Sequence, residues 1–255
     1  MVNFKTDCQL QPLGRPRARS GTLKSNMSLI LQIETATTSC SVALAQNGHV
    51  LAFKERNERN IHAEVITLFI ETVFNEAGKT YADLDAIAVS SGPGSYTGLR
   101  IGISTAKGLC FALDKPLIAI PTLKAMADGL THSLKDAFTA NTLLCPMIDA
   151  RRMEVFTALF NIYGEQVMPT EALIVDESSF AALLDKHPII FFGDGAEKCG
   201  KILTHPNTRF IDDFINSANY LTLQAGAKFR DNYFEDIAYF EPYYLKDFIA
   251  GKKKA

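Results

Sequence analysis

The predicted elements of this chain occur in an order that repeats, and that repeat restricts the fold more than any single motif does. From Ser28, the runs SLILQIE, SCSVALAQ and HVLAFKER read as three strands. Asn47-Gly48 joins the last two, the strongest short hairpin signal between alternating apolar runs. A helix over His62–Ala77, stopped by Gly78, follows. Then come an apolar strand from Ala86, a glycine-rich turn, a helix to about Leu113, a short strand Leu117–Ile120 closed by Pro121, and a helix to about Ser133. The order begins again with TLLCPMID, MEVFTALFNI and EQVMPTEALIV as strands, Glu177–Lys186 as a helix and PIIFFG as a strand. Gly193-Asp194-Gly195, a helix to about Leu203, the strand TRFI and a helix from Ser217 to about Tyr233 complete it. Each half is βββ-α-β-α-β-α with a glycine turn after its fourth strand.

A three-stranded meander followed by crossover helices predicts a mixed sheet covered by helices. Two such halves predict the duplicated ribonuclease-H-like α/β fold of actin, Hsp70-type ATPases and sugar kinases, the ASKHA architecture. The expected division is a first lobe over 27–133 with the 217–235 helix packing back on it, a second lobe over 134–216 and a tail over 236–255. Fold alone does not fix function. In this architecture a nucleotide lies between the lobes, its phosphates held by the first hairpin turn of each. Here those turns are Glu34–Ser39 and Asp149–Glu154, and neither contains glycine to let backbone approach a phosphate. Thr37, Ser95, Arg151 and Asp194 are the residues that such a cleft would offer an anion. Arg151 and Arg152 suit either phosphate or a nearby carboxylate such as Glu154, and Asp194 either lines the cleft or serves its own turn.

The stretch Ala86–Leu113 holds the most distinctive turn. A phosphate-cradling loop would end Gly-Lys-Ser/Thr, but Gly98 is followed by Leu99 and Arg100. A dinucleotide turn would carry glycine where Thr97 stands, and a hydrolase elbow would carry glycine where Pro93 stands. The helix itself is apolar on several sides through Leu99, Ile101, Ile103, Leu109 and Phe111, with a small-residue stripe at Gly102, Ala106 and Cys110. The His62–Ala77 helix is similar, with Val65, Ile66, Phe69, Ile70, Val73 and Phe74. Both are expected to bury one side on their own sheet and another against a second helix at close range. Cys110 also reads as an ordinary small core residue.

A net charge of −2 argues against a fold built as a whole to grip nucleic acid. No apolar run reaches the roughly 20 residues that cross a bilayer. Five cysteines, Cys8, Cys40, Cys110, Cys145 and Cys199, stand singly and far apart, which suits a reducing cytoplasm. Residues 1–26 read as a disordered basic arm or an upstream start-site artefact before Met27, with a nucleic-acid-touching arm as the minor alternative. His62 reads as a helix start rather than a ligand, because no other histidine falls at metal-binding spacing. Lys252–Lys254 reads as a solvated end. No metal site and no cofactor are expected.

The run SSGPGSYTGLRIGISTAKGL (Ser90–Leu109) resembles the bacterial TsaB family, formerly YeaZ, subunits of tRNA threonylcarbamoyladenosine biosynthesis. IETATTSCSVAL, His62-Ala63-Glu64, AIPTL, DARRMEVF, GDGAEK and EPYYLKDF fit that family in order, from Met27 to about Ala250. The resemblance implies a non-catalytic subunit that pairs with the catalytic paralogue TsaD and is joined by the ATPase TsaE, so that tRNA is met through the complex. It also implies that the paralogue's metal-binding His-x-x-x-His positions are here Lys124 and Asp128, a pair that a divalent cation would avoid. The expected partner surface comprises His62, Val65, Ile66, Phe69, Ile70, Val73, Leu99, Gly102, Ile103, Ala106 and Cys110. The same patch could close a homodimer when the partner is missing. The rival readings are a peptidase-like hydrolase using Ser95 or His62, the former glycoprotease label, and a nucleotide-binding regulator using the Arg151 cleft.

Overall fold

The computed structural model describes residues 28–134 and 138–246; the arm at 1–26, Cys8 and Lys252–Lys254 lie outside the described residues. Strands β1 (Leu29–Glu34), β2 (Ser39–Gln46) and β3 (His49–Asn57) form an antiparallel meander. Asn47 (φ 54°) and Gly48 (φ 81°) supply the two left-handed residues that its tight turn requires. β4 (Ala86–Gly92) pairs parallel to β1 and β5 (Leu117–Pro121) parallel to β4, giving the order β3-β2-β1-β4-β5. The second sheet copies the first strand for strand. β6 (Leu143–Asp149), β7 (Glu154–Asn161), β8 (Gln166–Ile174), β9 (Ile189–Phe192) and β10 (Thr208–Ile211) run in the order β8-β7-β6-β9-β10, again with a meander and two parallel additions. The molecule therefore has the duplicated ribonuclease-H-like, two-lobed ASKHA fold.

Because side chains alternate along a strand, each sheet has two faces to cover. In the first sheet Leu29, Leu31, Ile33, Val42, Ile87 and Val89 meet α1 (His62–Ala77) and α2 (Tyr96–Leu113), which lie together on the outer face. The opposite face, with Ile30, Ala86, Ala88, Ile118 and Ile120, is covered by Ala125 of α3 (Thr122–Ser133) and by Leu221 and Ala225 near the chain end. Leu123, Met126, Ala127 and Leu130 of α3 pack on Leu144, Ile148, Phe160 and Phe192 of the second sheet. α3 is thus buried on both sides between the sheets. The far face of the second sheet is covered by α4 (Ala181–Leu184), α5 (Ala196–Cys199) and their flanking turns.

Three predicted helices are shorter than their periodicity suggests. The Glu177–Lys186 helix contracts to α4 because Asp176 Oδ1 holds Ser178 and Ser179 in a turn, and Phe180 enters the left-handed region at φ 63°. The helix expected to reach Leu203 contracts to α5, although Leu203 N still donates to Cys199 O at 2.9 Å. The Ser217–Tyr233 helix divides into a 3-10 turn, Ala218–Leu221, and α6 (Thr222–Arg230). Polar contacts tie this last pair to the first sheet. Ala218 N donates to Ser41 Oγ at 2.8 Å, Thr222 Oγ1 to Gln32 Oε1 at 2.9 Å and Lys228 Nζ to Ala119 O at 2.7 Å.

Candidate functional site: the interlobe cleft and the outer helix pair

The two hairpin turns face each other across a cleft of about 720 Å³. Thr37, Ser95, Arg151 and Asp194, which the fold argument places at this position, all line it. On the first-lobe side the turn after β1 is locked from three directions. Ala36 N donates to Glu34 Oε1 at 2.6 Å, Ser95 N donates to Ala36 O at 2.7 Å, and His62 Nε2 donates to Thr37 O at 3.0 Å. Thr37 Oγ1 accepts from Ser39 N at 3.3 Å, and Ser95 Oγ caps α2 by accepting from Gly98 N at 3.2 Å. Four backbone donors here, those of Ala36, Ser39, Ser95 and Gly98, are thus taken up within the protein.

The second-lobe turn is closed in the same way. Asp149 N donates to Asp194 Oδ1 at 3.0 Å, Arg151 N to Asp149 Oδ1 at 2.9 Å and Ala150 N to Glu154 O at 3.1 Å. Lys198 Nζ pairs with Asp149 and donates to Arg152 O at 2.8 Å and Glu154 O at 2.7 Å. Asp194 therefore both lines the cleft and pins the turn; burial pushes its carboxyl above the usual range, offset by the Asp149 amide. Arg151 (φ 71°) and Arg152 (φ 46°) are held in succession in the left-handed region, a conformation that disfavours β-carbon-bearing residues.

Several titratable groups are interior. Glu34 is fully buried at the end of β1, accepting from Ser90 Oγ at 2.9 Å, and desolvation lifts its pKa to about 7. Burial likewise lowers the His62 pKa against the backbone bonds that raise it, and pushes the Cys40, Cys110 and Cys145 thiols up to about 12. Ser95 and His62, the residues a hydrolase reading would recruit, thus have separate partners: a helix start and a turn carbonyl. Lys124 and Asp128 form an ion pair with each other along α3, and Gln224 Nε2 donates to Asp128 Oδ2 at 2.9 Å. Among the described residues no cluster of three His, Cys, Asp or Glu is placed to hold a metal ion.

Most of the residues expected at the partner surface lie inside the first lobe. Val65, Ile66, Ile70, Val73, Leu99, Gly102, Ile103, Ala106 and Cys110 are buried inside the lobe, as is His62, and Phe69 packs against the same core. The physical reason is that α1 and α2 lie side by side on one sheet face, so each uses its second apolar side against the other. The small-residue stripe serves the interior as well: a β-carbon on Gly102 would collide with the Thr35 side chain, and one on Gly98 with the Thr35 carbonyl. The large hydrophobic side chains that the pair exposes to solvent are Leu68, 57% exposed, and Phe111, 85% exposed, with open space over Gly108.

Sequence reasoning missed the chain end. Tyr243, Tyr244, Leu245 and Lys246 line the cleft together with Arg59 and Asn60. The EPYYLK run contains those residues, but nothing in its periodicity says that it folds back.

The family model for tRNA N6-adenosine threonylcarbamoyltransferase, TsaD, matches residues 55–250. The tRNA threonylcarbamoyladenosine biosynthesis protein TsaB of Bacillus subtilis is 30% identical over 195 residues, 75% of this chain and 79% of that protein. The chain belongs to the TsaB family. Its counterpart in Escherichia coli is 39% identical over 154 residues, covering 58% of this chain and 63% of that protein. The solved structure of YeaZ from Pseudomonas aeruginosa superposes with a TM-score of 0.74 at 26% identity, over 86% of this chain and 100% of that one. Membership gives the chain a role in tRNA threonylcarbamoyladenosine biosynthesis. No helix among the described residues is long and apolar enough to cross a membrane.

Proposed function

We propose that this chain is a non-catalytic accessory subunit of the cytoplasmic machinery that makes threonylcarbamoyladenosine beside the tRNA anticodon. In this reading it holds and activates a TsaD-type transferase through the outer face of α1 and α2, a TsaE-type ATPase joins the pair, and tRNA is met through the complex. The observation that carries it is the state of the cleft: both hairpin turns take up several of their own backbone donors, and the two α3 positions aligned with the paralogue's metal ligands are an ion pair. Beside that cleft, exposed Leu68 and Phe111 offer apolar surface for a partner. Alone, the chain would close the same face on a second copy around a two-fold axis.

The test is reconstitution of the modified nucleoside on tRNA from purified components, with and without this chain. Equal product in its absence would refute the accessory role. Leu68→Glu and Phe111→Glu each place a charge on the exposed face and are expected to weaken co-purification of the transferase by more than about tenfold, as loss of an interface anchor does. Their melting temperatures should stay at the wild-type value because neither residue is in the core.

Arg59 and Arg151 on the cleft wall favour a second reading, a nucleotide-binding regulator without hydrolysis. Calorimetry of the isolated chain with ATP and ADP separates the two: micromolar binding supports the regulator, and flat titrations support the plain scaffold.

A further inference from the structure

Residues 235–246 contain neither helix nor strand, yet their path is fixed at nearly every step. Glu235 N donates to Leu117 O at 2.9 Å beside β5, and Ile237 and Phe240 pack against the outer core of the first lobe. Lys107 Nζ of α2 donates to Phe240 O at 3.0 Å. Tyr243 N then donates to Ser91 O at 2.7 Å, where β4 ends. Gly92 makes that approach possible at φ 108°, since a β-carbon there would stand 2.6 Å from Tyr243 O. The Tyr244 ring lies 4.8 Å from the Tyr96 ring at the start of α2, and its hydroxyl accepts from Arg100 Nε at 3.2 Å. The Arg100 guanidinium in turn sits 4.3 Å over Tyr96.

At Lys246 the segment changes lobes. Lys246 forms an ion pair with Glu154 at the start of β7, so the segment 243–246 runs along the cleft from the first lobe to its far wall. The two attachments differ in kind. The first-lobe side has core packing, an aromatic pair and several hydrogen bonds. Among the described residues the second-lobe side has one ion pair, its lysine 46% and its glutamate 18% exposed, and a pair of this kind at a surface shifts an equilibrium by no more than about fivefold. A segment anchored firmly at one end and weakly at the other opens at the weak end.

We propose that residues 241–246 form an interlobe latch, anchored on the start of α2 and fastened to the second lobe by Lys246 and Glu154, which closes the cleft mouth and opens by release of that pair. Glu154 belongs to the turn that presents Arg151, and Lys198 holds the Glu154 carbonyl of that same turn. Release takes one tether from that turn and leaves the Glu154 carbonyl to Lys198 and Ala150 N, so the far wall of the cleft is held less firmly as the roof comes away. The latch does not depend on which partner the chain holds.

Hydrogen exchange on the full-length chain tests it. Lys246→Glu is expected to speed exchange up to about fivefold at the Tyr243 amide, which is bonded to Ser91 O, and also in the Ala150–Glu154 turn, with the melting temperature unchanged. Glu154→Lys should do the same, and the charge-swapped double variant should return both regions to wild-type rates. Tyr244→Ala, which loosens the anchored end, should accelerate exchange at the tail and at the turn together. Wild-type exchange in Lys246→Glu would overturn the latch. So would a rise that the charge swap fails to reverse, or one confined to the tail while the turn stays protected.

Discussion

Glu34 shows how far one residue's surroundings can move its chemistry. Its carboxyl sits at the end of β1 with no exposure, and desolvation outweighs the bonds from Ala36 and Ser90, so its pKa rises from 4.5 to about 7. A carboxyl with a raised folded pKa holds its proton more tightly when folded than when unfolded. Its contribution to stability is therefore greatest below about 4.5, declines as pH climbs toward about 7 and stays reduced above that. Glu34→Gln should remove this slope. Denaturation at pH 5 and pH 8 should show wild type losing stability relative to the variant by on the order of 3 kcal/mol across that span. At this scale the sequence was informative about position: Thr37, Ser95, Arg151 and Asp194 do line one cleft. It was silent about Glu34, because burial of a carboxyl within an alternating strand depends on what lies across the sheet, here Ser90 of β4 and the segment at Asn216.

Among the elements, all ten strands were legible, because alternation, Asn47-Gly48 and the recurring turns are local signals. The outer helices were legible as helices but not as neighbours. Periodicity reveals that α1 and α2 have two apolar sides each; it does not say that the second side of one is the second side of the other. Gly102, Ala106 and Cys110 thus belong to the interior, and the surface is marked by Leu68 and Phe111. The α4 helix of the second lobe was overextended because a side-chain turn at Asp176 competes locally with the helix. The packing of α2 on the Thr35 turn yields a direct prediction. Gly98→Ala would drive a β-carbon into the Thr35 carbonyl and should cost about 1–3 kcal/mol, read as a lowered melting temperature. Gly108→Ala, where the added carbon meets open space, should not destabilise the chain and should gain up to about 1 kcal/mol from helix propensity.

For the whole molecule, the unit of stability is the pair of lobes rather than either alone. α3 gives Ala125 to one sheet and Met126, Ala127 and Leu130 to the other. Met126 is fully buried, so Met126→Ala should cost about 2–5 kcal/mol. Calorimetry should show that loss as one shifted transition, not as two separating ones.

The return of α6 to the first sheet, after the chain has built the whole second lobe, makes the duplicated halves unequal heirs of their ancestor. A fragment cut in the link between α3 and β6 would leave its amino-terminal product with an inner wall covered by α3 alone and its carboxy-terminal product with a helix that has nowhere to lie. Neither piece would keep house by itself, and only when mixed would they recover a native shape.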